Sequence, residues 1–295
     1  MNIVITGCHG QLGTELQKVL KTGISELGPI SEVYKNATVV AVDIEDLDIG
    51  DFDAVSAFME QHKPDVVFNC AAMTNVDGCE TNQEVAMKAN AIGPRNLAVM
   101  CKKLDAKLVH VSTDYVFAGD GNRPYVEWDI TNPQSVYGAS KNLGEQYVRE
   151  FCDKYFIART SWLYGYVGKN FIKTMLRLGR TNGAVTVVDD QRGNPTNAAD
   201  LAYHLLQLAV TNEYGVYHCT CNGECSWYEF ACKIMEVFHV DAKVSPCTSE
   251  EFPSPTKRPA YSSLDNMMLR CTIGDHMRSW EEALESYAKN YKEEG

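Results

Sequence analysis

The stretch Asn2-Ile3-Val4-Ile5-Thr6-Gly7-Cys8-His9-Gly10-Gln11-Leu12-Gly13 decides how this chain is read. Ile3-Val4-Ile5 is a continuous apolar run, which suits a strand buried on both faces. Glycines at G-x2-G-x2-G spacing follow, and a helix starts at once. Such a turn lets the backbone approach a pyrophosphate closely and seats the helix tightly on the strand, with the phosphates at the positive helix end. Gly7, Gly10 and Gly13 are therefore candidate cofactor contacts. A glycine triplet alone says little, because a tight strand-to-helix turn uses glycine anyway. Asp43, at the end of the second candidate strand, adds to it. Its carboxylate would accept the adenosine ribose hydroxyls and repel a 2′-phosphate, so NADH is expected to be accepted at least as readily as NADPH. Asp43 lies 30 residues past Gly13 instead of the usual ~20. An insertion through Ser25, Gly28, Pro29 and Ser31 accounts for the excess.

Outward from this turn, candidate strands at residues 2–6, 38–43, 65–70, 107–113, 155–160 and 184–189 alternate with candidate helices at 12–20, 51–62, 83–103, 136–151 and 170–180. The βαβα order implies an α/β fold: a Rossmann-like, doubly wound parallel sheet that binds ligands at the carboxyl ends of its strands. Beyond about residue 190 the loops become rich in Asn, Gly and Pro, around helices expected at 198–210, 227–238 and 280–291. No flexible linker separates two halves, so a smaller C-terminal α/β lobe is expected to pack directly on the sheet. The expected division puts residues 1–161 in a dinucleotide-binding domain, with 184–215 returning to it. Residues 162–183 and 216–295 form the second lobe.

The chain has 295 residues, with 27 Lys and Arg against 39 Asp and Glu, for a formal net charge of −12. That balance argues against nucleic acid or an anionic membrane surface as a partner. Small anions remain compatible with it, since helix ends and a few local cations suffice to hold them. No apolar run approaches the ~20 residues of a membrane helix, and the N-terminal residues do not read as a secretion signal. The chain is expected to be cytoplasmic. Its 11 cysteines are an odd number, scattered along a chain long enough to build a core without staples, so reduced thiols are expected. Cys219, Cys221, Cys225 and Cys232 lie close in sequence, beside His218, but lack the paired spacing of a zinc site. No metal site is expected there.

A second constellation is Tyr137-Gly138-Ala139-Ser140-Lys141. Four residues apart on a helix, the phenol and the ammonium share one face. The lysine charge is expected to lower the pKa of Tyr137 toward the working pH, so that the phenol can exchange a proton with a carbonyl oxygen while hydride moves at the carbon. An isolated match of this kind is often a surface pair. Here, however, the fourth strand ends in Val111-Ser112-Thr113-Asp114, which brings the Thr113 hydroxyl to the same crevice.

The glycine turn, Ser112-Thr113-Asp114 and Tyr137-x3-Lys141 together resemble the extended short-chain dehydrogenase/reductase superfamily. Further segments narrow the resemblance: Asn69-Cys70-Ala71-Ala72-Met73, Arg159-Thr160-Ser161-Trp162-Leu163-Tyr164-Gly165, Asp190-Gln191-Arg192-Gly193-Asn194-Pro195-Thr196, Ser226-Trp227-Tyr228-Glu229-Phe230 and Lys257-Arg258-Pro259-Ala260-Tyr261. In this order, over nearly the whole chain, they are similar to the dTDP-4-dehydrorhamnose reductase family. The resemblance implies reduction, by NADH or NADPH, of the C4 ketone of a dTDP-linked 4-dehydro sugar in dTDP-L-rhamnose synthesis. It also implies that the second lobe holds the nucleotide sugar. Gly10, Gln11, Leu12, Asp43, Asp48, Ile49, Cys70, Ala71 and Ala72 would contact the cofactor, with Lys141 on the nicotinamide ribose. Tyr137 would donate the proton, Thr113 and Asp114 would contact the substrate, and Trp162 would wall the sugar. Asn90 would support the lysine through water. The chain departs from the family pattern at Cys70 and Met73, where alanine and histidine are usual, and at Ala118, where the loop usually carries an aspartate.

Several readings stay open on sequence alone. Trp162 suits core packing as well as a ligand wall; Arg258 and Lys257 suit a diphosphate or a solvated turn; Asn170 suits a phosphate or a helix cap. His110 reads as a core histidine and His9 as a spacer in the turn. A homodimer and a Mg2+ requirement are likewise open. Two other classes fit the same fold: a regulatory subunit without catalysis, and a nucleotide-sugar epimerase, which keeps the same trio but regenerates its NAD+ in each cycle.

Overall fold

Six parallel strands form the central sheet of the computed structural model, which describes residues 1–292. Five of them are β1 (Asn2–Thr6), β2 (Thr38–Val42), β3 (Val66–Asn69), β4 (Lys107–Thr113) and β5 (Tyr155–Thr160). Strand β6 (Ala184–Val188) lies outside this sheet, and β7 (Gly215–His218) is its sixth member. The order β7-β5-β4-β3-β1-β2 reverses direction at β1, so the ligand crevice is expected beyond the carboxyl end of that strand.

Burial on both faces makes β1 a strand. Ile3 and Ile5 pack with Leu12, Leu16 and Val19 of α1 (Gln11–Thr22) and with Leu201 and Leu205 of α8 (Ala198–Ala209). Val4 turns to the other face, against Val55 and Met59 of α2 (Phe52–His62) and Leu97 and Met100 of α5 (Gly93–Leu104). Between β3 and α5 run α3 (Val76–Thr81), α4 (Gln83–Met87) and one π-helical turn, Lys88–Ile92. Helix α6 (Val136–Phe151) leads from the end of β4 into β5.

A separate core holds the second lobe together. It gathers Ile172 and Leu176 of α7 (Phe171–Asn182), Val185 and Val187 of β6, Phe230 and Ile234 of α9 (Trp227–Val237), and Leu284 and Tyr287 of α10 (Trp280–Asn290). The insertion noted after α1 clasps the two halves. Ile24–Ser25 pairs antiparallel with Gly28–Pro29, and Glu26 at the tip accepts hydrogen bonds from Tyr166, Ser286 and Arg278. Arg278 also pairs with Asp200 of α8. Among the described residues no helix is long and apolar enough to cross a membrane.

Three elements differ from the sequence expectation. The strand expected at 184–189 does not join the main sheet; it pairs in parallel with β8 (Lys243–Cys247). Its burial alternates, with Val185 and Val187 inward and Ala184 and Thr186 exposed, which is the pattern of a strand covered on one face only. The place beside β5 goes to β7, whose four residues are too few and too polar to announce a strand. The single helix expected at 83–103 is interrupted by the π turn, whose Asn90 side chain is drawn into hydrogen bonds with the Met73 backbone.

Behind the sheet's carboxyl end lies a fully buried ion pair. Arg159 of β5 donates from Nε and Nη2 to the Glu145 carboxylate of α6 at 2.9 and 2.7 Å, and Ser112 donates to the same carboxylate at 2.6 Å. Removing one member strands the other charge away from water. Glu145→Ala is therefore expected to destabilise the fold by about 3–5 kcal/mol in denaturant unfolding. An unchanged midpoint and slope would contradict this.

Candidate active site

At the carboxyl ends of β1 to β5 opens a cavity of about 980 Å3, near the upper end for ligand pockets. The glycine turn forms one end. Gly7 has φ +68°, a conformation that side-chain-bearing residues rarely adopt, and a Cβ there would lie 2.7 Å from the Ala71 nitrogen. A Cβ on Gly13 would press into the Gly7 carbonyl oxygen. The turn is therefore packed against both the β3 loop and its own helix, as a pyrophosphate cradle requires. No side chain caps the N-terminus of α1 at Gly10, so the first amide donors of the helix stay available to an anion.

The other residues singled out for the cofactor border the same cavity. Asp43 follows β2 and accepts the His9 amide at 2.9 Å and the Ile44 amide at 2.9 Å. Each of its oxygens keeps a lone pair for a ribose hydroxyl. Asp48 pairs with Lys88 at 2.7 Å, which holds its carboxyl below the usual range. Ile49 is buried against Gly93. Cys70, Ala71 and Ala72 line the floor, and burial pushes the Cys70 thiol up to about 12. Leu12 is buried beneath the turn. Gln11 is engaged elsewhere as well: its amide oxygen accepts from Gly165 at 2.7 Å and from Asn170 at 2.9 Å, tying the turn to the second lobe.

The far end of the cavity holds Thr113, Asp114, Tyr137 and Lys141. Thr113 donates to Asp114 at 2.9 Å and accepts the Tyr115 amide at 3.2 Å, and its hydroxyl also meets the phenol of Tyr137. Burial pushes Asp114 up to about 6 against the pull of the Ser262 and Thr113 hydroxyls. Lys141 is buried and donates to the Val111 carbonyl at 2.7 Å; desolvation lowers its pKa to about 8, with Glu145 opposing. The pKa expected for Tyr137 is corrected here. Burial raises it above the ordinary tyrosine value, with only the Thr113 contact working the other way. Desolvation of the anionic form outweighs that contact, and the nearby Asp114 adds to the rise.

Trp162 has φ +47° and its ring stacks on Trp227 with centroids 3.5 Å apart and planes 6° from parallel, so the cavity wall is a double aromatic plate. Trp227 is the residue that sequence reasoning passed over as a site member, since it opens a helix 65 positions away. Tyr115 was missed in the same way: it meets Tyr137 edge-on at 5.4 Å and accepts from Arg258 at 3.3 Å. Arg258 also pairs with Asp77 at 2.9 Å, and Lys257 is exposed. Asn170 caps α7 through the Lys173 amide. His110 is buried in β4 beside Asn69, and burial lowers its pKa. Asn90 holds the Met73 backbone and the Ser140 hydroxyl next to Lys141. Of the cysteine group, Cys219 joins the main core, and Cys221 and Cys225 the second.

The profile of the RmlD substrate binding domain family matches residues 1–293. A dTDP-4-dehydrorhamnose reductase of Streptomyces griseus is 41% identical over 288 residues, covering 95% of this chain and 91% of that protein. A solved dTDP-4-dehydrorhamnose reductase from Clostridium acetobutylicum is 49% identical with a TM-score of 0.92, over 98% of this chain and 99% of the other. The enzyme of the same name from Bacillus anthracis, solved in complex with NADP, is 43% identical with a TM-score of 0.90, over 97% and 98% of the two chains.

If Asp43 holds the ribose hydroxyls, Asp43→Ala raises KM for NADH more than for NADPH, because NADPH has no free 2′-hydroxyl to lose. Steady-state kinetics with each coenzyme checks this, and an equal rise for both would contradict the assignment.

Proposed function

The chain belongs to the RmlD substrate binding domain family, and from that premise we propose that it reduces the C4 ketone of dTDP-4-dehydro-L-rhamnose to dTDP-L-rhamnose, with NADPH or NADH as reductant. It is an oxidoreductase of dTDP-rhamnose biosynthesis. The observation that carries the reading is the meeting of Tyr137, Lys141 and Thr113 in the cavity that begins at the glycine turn. The half containing β1 to β5 would hold the coenzyme, and the lobe behind Trp162 and Trp227 the nucleotide sugar. Eleven free thiols support a reducing compartment, and we place the reaction in the cytoplasm.

A nicotinamide coenzyme, held by the glycine turn, Asp43 and Lys141, would supply hydride for C4. Tyr137 gives its phenolic proton to the oxygen at that carbon as negative charge builds there. A raised pKa suits this direction, since a donor must arrive protonated. Lys141, held by the Val111 carbonyl, presents its ammonium to the phenolate left behind. The Thr113 hydroxyl meets both Asp114 and the phenol, and so fixes the phenol beside the place of the ketone oxygen. Asp114 orients that hydroxyl, and the Trp162–Trp227 plate gives the sugar a flat apolar face. Contacts to the remote dTDP group position C4, so a truncated sugar loses turnover as well as affinity.

The test is the absorbance of NADPH and NADH with dTDP-4-dehydro-L-rhamnose beside a UDP-linked 4-keto sugar. Stoichiometric loss with the dTDP sugar is expected. Isomerisation of the sugar without net coenzyme loss would favour an epimerase, and no reaction at all would favour a regulatory subunit. Tyr137→Phe is expected to lower kcat by about 100-fold or more, and near-normal turnover would remove the donor role. Lys141 carries charge only below its pKa of about 8, so kcat falls as pH rises through that value. A flat kcat profile across that region would refute the charge requirement.

A further inference from the structure

Cys8, His9 and Asp43 bring a thiol sulfur, an imidazole nitrogen and a carboxylate oxygen within 4.8 Å of one another, at the end of the cavity away from Tyr137. None of the proposed catalytic steps uses the thiol or the imidazole. The His9 Nδ1 lies 3.7 Å from the Asp43 carboxylate, close to the separation of two ligands on one tetrahedral ion. The carboxylate is already aimed, because its Oδ2 accepts the His9 amide and its Oδ1 the Ile44 amide. Cys8 is 5% exposed beneath the turn, whereas the His9 side chain is 74% exposed and free to swing the remaining distance. Asp46 and Glu45 add negative charge around the thiol. Those carboxylates disfavour a bare thiolate and favour a divalent cation in place of its proton.

We propose that Cys8, His9 and Asp43 form a binding site for a borderline-soft divalent ion, Zn2+, which competes with the coenzyme. Sulfur, nitrogen and oxygen donors together match zinc and not the oxygen-loving Mg2+ or Ca2+. On binding, the Cys8 sulfur forms a bond to the metal and its proton leaves to solvent; nothing is oxidised or reduced. Three protein ligands leave the fourth position to water, as in an open zinc site. The competition rests on the proposed contact of Asp43 with the adenosine ribose, since an ion held on this carboxylate stands where the ribose hydroxyls would. The site belongs to this chain's own glycine turn, where Cys8 and His9 fill the two positions between Gly7 and Gly10.

The test titrates Zn2+ alone into the protein without coenzyme, against a chromogenic chelator, and then repeats the titration in saturating NADH. One-to-one binding is expected. His9→Asn and Cys8→Ser should each weaken it by about tenfold or more, the least that loss of a direct ligand implies, and Cys271→Ser, at an exposed cysteine, should not. His9 is on the surface, so its variant tests the site even where Cys8→Ser disturbs the fold. Absence of binding, or binding indifferent to both His9 and Cys8, overturns the proposal. Binding that depends on both residues and is weakened by NADH supports it in full. Binding that depends on both and is untouched by NADH overturns the competition and, with it, the ribose contact of Asp43, while the reductase activity is judged by its own assay.

Discussion

Everything in the site depends on how closely α6 lies against the end of β4. A Cβ on Gly138 would collide with the Tyr115 carbonyl oxygen, and one on Gly144 with the Asn90 carbonyl oxygen in the π turn. Only glycine permits that approach at these two points. The approach sets Tyr137 beside Thr113 and drives the Lys141 ammonium under the strand, where it reaches the Val111 carbonyl. Ser135 fixes where the helix begins, by accepting the Gly138 amide at 3.1 Å. The helix therefore enters the crevice at a defined turn, and the two functional side chains arrive on its inner face together.

That closeness has an electrostatic cost, and the fold spreads it over a network. Lys141 is brought out of water, which disfavours its charge, and Glu145 one turn along the same helix restores part of it. Glu145 in turn is held by Arg159 and Ser112. Arg159 continues to the Glu127 carbonyl at 3.2 Å and rests on the Phe117 ring. The lysine that faces the cavity is thus one end of a buried series of charges reaching back to β5 and the loop before α6. A change at Glu145 therefore bears on the charge of the lysine.

The sheet was legible in the sequence wherever burial is two-sided. Ile3-Val4-Ile5 reads as a strand because both faces need apolar residues, whereas the equally apolar Val39-Val40-Ala41-Val42 forms the edge strand β2 with Val39 exposed; the glycine turn between strand and helix names the ligand end. Where a strand is covered on one face, as β6 is, propensity shows the element but not the sheet it joins. Strand β7 was hidden because its four residues include a glycine and a buried histidine, and pairing with β5 supplies what its composition does not. In the site, residues joined by a local spacing were legible: Tyr137 with Lys141, and Gly7 with Gly13. Trp227 and Tyr115 became visible only once the chain was folded, because each is defined by a ring that meets it from a distant segment. The pKa of Tyr137 ran opposite to expectation for the same reason. Spacing shows a neighbouring charge, but the extent of desolvation is a property of the assembled cavity.

A protein of net charge −12 that takes up both a dinucleotide and a nucleotide diphosphate sugar must attract them at short range, because its long-range field opposes both. At physiological ionic strength that field fades over ~8 Å, so donors inside the cavity decide binding. Two cations near the mouth are already paired, Lys88 with Asp48 and Arg258 with Asp77. The open amides at the start of α1 are neutral donors that need no protonation and carry no counter-charge. Phosphate recognition built on them stays constant while the groups around C4 titrate. The division lets phosphate recognition by the amides remain indifferent to pH, and it sets the phenol, lysine and carboxyl that serve the reaction at the opposite end of the same cavity.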